Sequence, residues 1–147
     1  MPNAEPVVEA VYRKLGGRGT LGQEIASEAD LARVVLGRIP LAALAALQNN
    51  GFSDREIDRF VIPSRTRRHR ETKKEALTVE ESDRLVRLAR TQALAEDVFG
   101  NREKANKWLR ESLAILDGRS PLEMARTETG ARIIEQILGK IAWGAAA

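Results

Sequence analysis

Cysteine is absent from this chain, which excludes disulfide scaffolds, thiolate metal sites and cysteine nucleophiles. Aromatics are scarce at 4% of residues, and alternating β-branched or aromatic runs do not occur, so no segment reads as a strand. No stretch stays apolar for about 18 residues, as a membrane span would require. The first ten residues carry Pro2, Glu5, Pro6 and Glu9 and offer neither a basic leader region nor an apolar one. Histidine occurs once, at His69, among cations that would repel a metal. Phosphate-binding glycine loops, nucleophile elbows and metal-ligand spacings are all missing, so no catalytic residue and no metal site is expected. With these absences, the expectation is an all-α, cytoplasmic, non-enzymatic protein without a membrane or a cofactor.

What is present is enough for a folded core, since 43% of the 147 residues are apolar. Helical punctuation recurs along the chain. Residues 1–25 read as a flexible N-terminal segment holding one short helix, broken at Gly16-Gly17-Arg18-Gly19. Ser27 with Asp30 starts a helix that ends before Gly37 and Pro40, and a second runs from Leu41 to the Asn49-Asn50-Gly51 stop. Ser53 and Glu56 spell a capping box, with Phe52 and Ile57 as its hydrophobic staple. That helix should end near Val61, and Ile62-Pro63 should turn the chain into another. Thr78 with Glu81 caps a long helix ending at Gly100, which joins a helix-turn-helix unit over 26–77 to a small helical unit over 78–147. Asn101 caps a helix expected to carry Ala105, Trp108, Leu109, Ser112, Leu113 and Leu116 on one face. Ser120, Pro121 and Glu123 open a short helix, and Thr127 to Gly130 lead into the last one.

Charge is unevenly distributed. Between Arg65 and Lys74, six cations face the single carboxylate Glu71, although the whole chain nets only +3. A local cationic patch on an otherwise near-neutral chain is the footprint of a polyanion site, because phosphates reward clustered cations through counterion release. Ser64, Arg65, Thr66, Arg67, Arg68, His69, Arg70, Lys73 and Lys74 supply the donors for DNA if this stretch is the second helix of a helix-turn-helix. Ser64 to Glu75 contains no aliphatic or aromatic residue with which to dock such a helix, so a solvated basic loop is the competing reading. The capped helix and turn in front, with an amphipathic helix behind, favour the helix-turn-helix.

In the last helix, Ile134, Ile137, Leu138 and Ile141 share one face, widened by Ile133. Arg132, Gln136, Gly139 and Trp143 fall opposite, which predicts an exposed tryptophan. Gly139 within a helix costs about 1 kcal/mol relative to alanine, a cost with a use where another backbone approaches closely. Fraying at Gly139, with Trp143 folded back on the core, is the alternative.

The spacing Ala105-x-x-Trp108-Leu109, Leu113, Leu116-x-Gly118-Arg119-Ser120-Pro121, Thr127-Glu128-x-Gly130 and Leu138-Gly139-x-Ile141-x-x-Gly144 resembles the toxin-binding domain of the Xre/MbcA/ParS family of bacterial antitoxins. Upstream, Ser82-Asp83-Arg84-Leu85-x-Arg87-Leu88-Ala89-Arg90 and the Arg65-Thr66 pair are similar to that family's helix-turn-helix half. The resemblance implies an apolar residue, often leucine, after that pair, where this chain has Arg67.

The resemblance implies a type II antitoxin that binds a cognate toxin and represses its own promoter. The toxin would be a NAD-degrading RES-domain protein or a related ADP-ribosyltransferase, blocked at its active site by the antitoxin's C-terminal end. Carried onto this sequence, the match falls on Gly139, Ile141 and Gly144. Lys140 and Trp143 lie between them, and Arg132 and Gln136 complete the expected toxin-binding surface. NAD would be the toxin's ligand, and the antitoxin a homodimer within a hetero-oligomer. A stand-alone helix-turn-helix regulator, whose C-terminal half only dimerises, is the alternative function.

Overall fold

The computed structural model describes residues 5–146, with side chains described for residues 5–144. Among the described residues every regular element is helical. In order these are α1 (Val7–Lys14), α2 (Gly17–Leu21), α3 (Glu28–Leu36), α4 (Ala42–Gln48), α5 (Asp54–Phe60), α6 (Ser64–Lys73), α7 (Val79–Phe99) and α8 (Arg102–Arg110), then a 3₁₀ turn (Ala114–Leu116), α9 (Pro121–Met124) and α10 (Glu128–Ala146). None of them is long and apolar enough to cross a membrane.

The chain forms two compact units, Pro6–Ala89 and Arg90 onward. The division falls inside α7 and not at 77/78, because the first half of α7 is bonded into the N-terminal unit. There Ser82 Oγ accepts from the Ile39 amide at 2.9 Å, and Arg84 donates twice to the Val61 carbonyl, at 3.0 and 2.8 Å. Leu85, Leu88 and Ala89 are buried.

The N-terminal stretch differs from the flexible segment expected over 1–25. Residues 1–4 lie outside the described residues, but α1 and α2 are both ordered helices, and Val11, Leu15 and Leu21 are buried. Of the glycines read as a break, Gly16 bounds α2 while Gly17 and Gly19 lie inside it. Gly16 (φ 101°) and Gly22 (φ 76°) take the left-handed conformation on either side of α2, and α2 packs on α1 and α4.

The helix starts read from sequence are in place. Ser27 Oγ accepts from the Asp30 amide at 3.1 Å. Ser53 and Glu56 close a reciprocal capping box at 3.1 and 3.0 Å, and Phe52 and Ile57 beside it are both buried. Leu44, Leu47, Ile57, Phe60, Val61 and Ile62 supply the buried positions around α4, α5 and the turn that follows.

In the C-terminal unit, Asn101 caps α8 and Ser120 caps α9, the latter with Pro121 at the first helical position. α9 packs on both α8 and α10. The single helical face expected from Ala105 to Leu116 does not form, because α8 stops at Arg110 and Glu111 is extended. A closed loop replaces it: the Leu113 amide donates to the Arg119 carbonyl, the Gly118 amide donates back to Leu113, and Ser112 Oγ donates to the Gly118 carbonyl. Leu116 reaches the interior through the 3₁₀ turn, not along a helix.

Candidate nucleic-acid interface and C-terminal partner surface

The basic stretch is helical. Asp58, in α5, accepts from both the backbone amide and the hydroxyl of Ser64, the latter at 2.7 Å, and so caps the start of α6. Those two bonds hold the Asp58 carboxyl below its ordinary range. At the other end Lys74 turns left-handed (φ 55°), and the Glu75 and Lys74 amides donate back to the Arg70 and Glu71 carbonyls, a Schellman closure.

α6 has no buried residue, so polar groups hold it in place of an apolar face. Arg67, at the position where an apolar residue was expected, is only 21% exposed. Its guanidinium meets Gln48 Oε1 through both terminal nitrogens at 3.4 Å, lies 3.9 Å from Asp54, and pairs with Glu71 one turn on at 3.3 Å. Arg70 is 14% exposed and forms a two-pronged pair with Glu81, which is 8% exposed; one prong joins Nη1 to Oε1 and the other spans 3.2 Å. Burial raises the Glu81 carboxyl, but hydrogen bonds from Arg70 and the Thr78 amide, with the Arg70 charge, leave it net lowered. The linker behind is clipped by Arg38, which donates to the Leu77 carbonyl at 2.8 Å and the Ala76 carbonyl at 3.0 Å.

The nine residues expected to face DNA therefore divide. Arg65, Arg68, His69, Lys73 and Lys74 are exposed, and none makes an ion pair among the described residues. Ser64 is exposed with its hydroxyl donated to Asp58, and Thr66 is half-buried. Arg67 and Arg70 are turned into the unit. Thr72, not singled out from sequence, shares the outward face with Arg65, Arg68 and His69 at positions i, i+3, i+4 and i+7. Glu81, Gln48 and Asp58, which hold α6, and Arg38, which holds the linker behind it, were likewise missed. Only the Thr78–Glu81 cap spacing pointed to one of them.

The C-terminal surface stands on α10. Thr127 Oγ1 accepts from the Gly130 amide at 3.0 Å and caps the helix, which runs through Gly139 without a break. Ile134 and Leu138 are buried, Ile137 and Ile141 half-buried, and Ile133 sits at the edge of the face. Arg132, Gln136, Gly139, Lys140, Trp143 and Gly144 are all exposed, with Arg132 paired to Glu128 at 3.3 Å. Trp143 is 79% exposed, so it does not fold back. A β-carbon at Gly139 would meet no atom within 4 Å.

A capped helix, a tight turn and a cation-bearing second helix define the N-terminal unit as a helix-turn-helix domain. The model of the Antitoxin Xre-like helix-turn-helix domain matches residues 30–90, and that of the Antitoxin Xre/MbcA/ParS C-terminal toxin-binding domain matches residues 94–144. Relatives named Antitoxin Xre align with the chain in three bacteria. The one from Pseudomonas putida is 42% identical over 84 residues, covering 57% of this chain and 53% of that protein. The one from Yersinia enterocolitica is 37% identical over 84 residues, 56% of this chain and 57% of that protein. The one from Photorhabdus laumondii is 29% identical over 128 residues, 85% of this chain and 86% of that protein. The aligned region thus spans little more than half of the first two relatives. The chain belongs to the Xre/MbcA/ParS antitoxin family.

Proposed function

We propose that this chain is the antitoxin of a type II toxin-antitoxin pair. Its C-terminal unit binds a cognate toxin, and its N-terminal unit binds the promoter of its own operon as a repressor. The observation that carries the reading is Trp143. A large apolar side chain left in solvent at the last described turns of α10, inside the segment matched by a toxin-binding domain, is the kind of anchor that dominates protein interfaces. Lys140 and Gln136 flank it on the same face, with the bare backbone at Gly139 beside them. The toxin is a NAD-degrading RES-type protein or an ADP-ribosyltransferase, and the C-terminal end of α10 obstructs its active site. NAD belongs to that toxin. The antitoxin acts as a homodimer within the hetero-oligomer.

Co-expression with the product of the adjacent reading frame tests this. The neighbour alone should arrest growth and deplete NAD, or modify a target protein with ADP-ribose. The pair should copurify, and ending the chain at Leu138 should abolish protection. A neighbour that is harmless alone and does not copurify would leave the protein a stand-alone regulator.

A further inference from the structure

α6 presents a contradiction if all its cations are counted as DNA contacts. A helix without a buried side chain has no hydrophobic reason to keep one orientation, yet base-edge contacts need the helix held in a fixed rotation. The polar groups beneath it resolve this. Arg70 engages Glu81 with both terminal nitrogens, and Nη1 also points at the Ala76 carbonyl at 3.4 Å. One turn earlier, Arg67 engages Gln48 of α4. Glu81 is itself fixed, because it closes the cap of α7 through Thr78.

We propose that Arg67 and Arg70 are positioning residues and not DNA contacts: they clamp α6 onto α4 and the start of α7, so that Arg65, Arg68, His69 and Thr72 face the major groove. This rests on the DNA-binding reading and divides its labour. The cations that count as ligands for phosphate or base are those on the outer face and at the C-terminal end, Lys73 and Lys74. The two inner arginines already face carboxylates, Arg67 that of Glu71 and Arg70 that of Glu81. They release no counterions when DNA arrives, because counterion release requires a cation that meets phosphate.

The decisive variant is Glu81→Gln. It removes a negative charge and so makes the protein a better polyelectrolyte partner for DNA, while keeping an oxygen for the Thr78 amide. If Arg70 contacts phosphate, freeing it from Glu81 strengthens binding. If Arg70 is a clamp, binding weakens. Binding is measured by fluorescence anisotropy on the full chain, with duplex from its own upstream region at several salt concentrations.

Glu81→Gln and Arg70→Met should each weaken binding by about tenfold at every salt concentration, a loss comparable to one charged hydrogen bond, leaving the slope of log K against log salt unchanged. Arg70→Lys, which retains the pair, should recover most of that loss. Arg68→Met should instead reduce the slope by about 1, the signature of a lost phosphate contact. In the protein without DNA, hydrogen exchange over residues 67–73 should quicken in Glu81→Gln, while α4 and α5 keep their protection.

Equal or tighter DNA binding by Glu81→Gln, or a slope reduced by Arg70→Met, would overturn the clamp. So would unchanged exchange over α6. Absence of salt-dependent binding by the wild-type chain would instead sink the DNA reading and the positioning role with it, while the exchange measurement would still decide whether the pair holds the helix.

Discussion

Thr78 and Glu81 bond each other reciprocally: the Thr78 amide donates to Glu81 Oε1 at 2.8 Å, and the Glu81 amide donates to Thr78 Oγ1 at 3.1 Å. The same carboxylate takes both prongs of Arg70, so one side chain closes the start of α7 and holds α6.

The stability of the N-terminal unit should therefore depend on acid. A carboxyl whose folded pKa is depressed contributes stability that is present above its unfolded value and lost as pH falls through the folded one. Urea midpoints followed from neutral pH downward should fall through the carboxylate range in the wild type and less steeply in Glu81→Gln. The two curves should converge at the acid end. Asp30 and Asp58, whose carboxyls are also lowered, are common to both proteins and cancel in the comparison. Parallel curves would remove Glu81 from this role.

Lys74 holds a left-handed backbone that costs a non-glycine residue about 1–2 kcal/mol. Lys74→Gly should relieve part of that cost and raise the thermal midpoint. Because it also removes an exposed cation at the end of α6, it should lower the salt slope of DNA binding by about 1. A variant that is more stable but binds DNA with the wild-type slope would show that Lys74 does not meet phosphate.

Two glycines in the C-terminal unit should respond oppositely to alanine. A β-carbon at Gly130 would collide with the Met124 carbonyl, so Gly130→Ala should destabilise by about 1–3 kcal/mol or more. Gly139 has open space around it, and Gly139→Ala should stabilise the unit by about 0.5–1 kcal/mol. Chemical denaturation of both variants checks the signs. If Gly139 lets a toxin's backbone approach, the more stable Gly139→Ala protein should protect cells less well, an outcome that stability alone cannot produce.

Trp143→Ala should leave folding within about 0.5 kcal/mol of wild type, since the side chain is 79% exposed. Toxin affinity should drop by about 2 kcal/mol or more, the loss typical of an interface anchor. Titration calorimetry against the copurified toxin measures it, and wild-type affinity would move the interface off this face.

Helix starts were legible in the sequence because capping is local: Ser53 and Glu56 lie three residues apart and need nothing else. The exposed face of α10 was legible for a similar reason, since a long regular helix keeps its period from Thr127 to Trp143. The docking of α6 was not, because its partners Gln48 and Glu81 lie 19 positions before Arg67 and 11 after Arg70, and no periodicity links them. Composition gave every arginine of the stretch the same standing, because it cannot tell a paired guanidinium from an open one. The false extension of α8 to Leu116 had another cause. Leu113 and Leu116 keep helical spacing by coincidence, while the left-handed Asp117 and Gly118 and the Ser112 bond close a loop.

The unbroken course of α10 through Gly139 bears on how fast and how cheaply its end can be recognised. Trp143 rides on a hydrogen-bonded helix fixed upstream by Ile134 and Leu138, so the chain around it is ordered before any partner arrives. A disordered tail would lose about 1–2 kcal/mol of backbone entropy per residue on capture, and that loss is already met in the folded protein. A toxin that grips this face would dock on a preformed helix, and differences in affinity among variants of the face should then appear in dissociation rates.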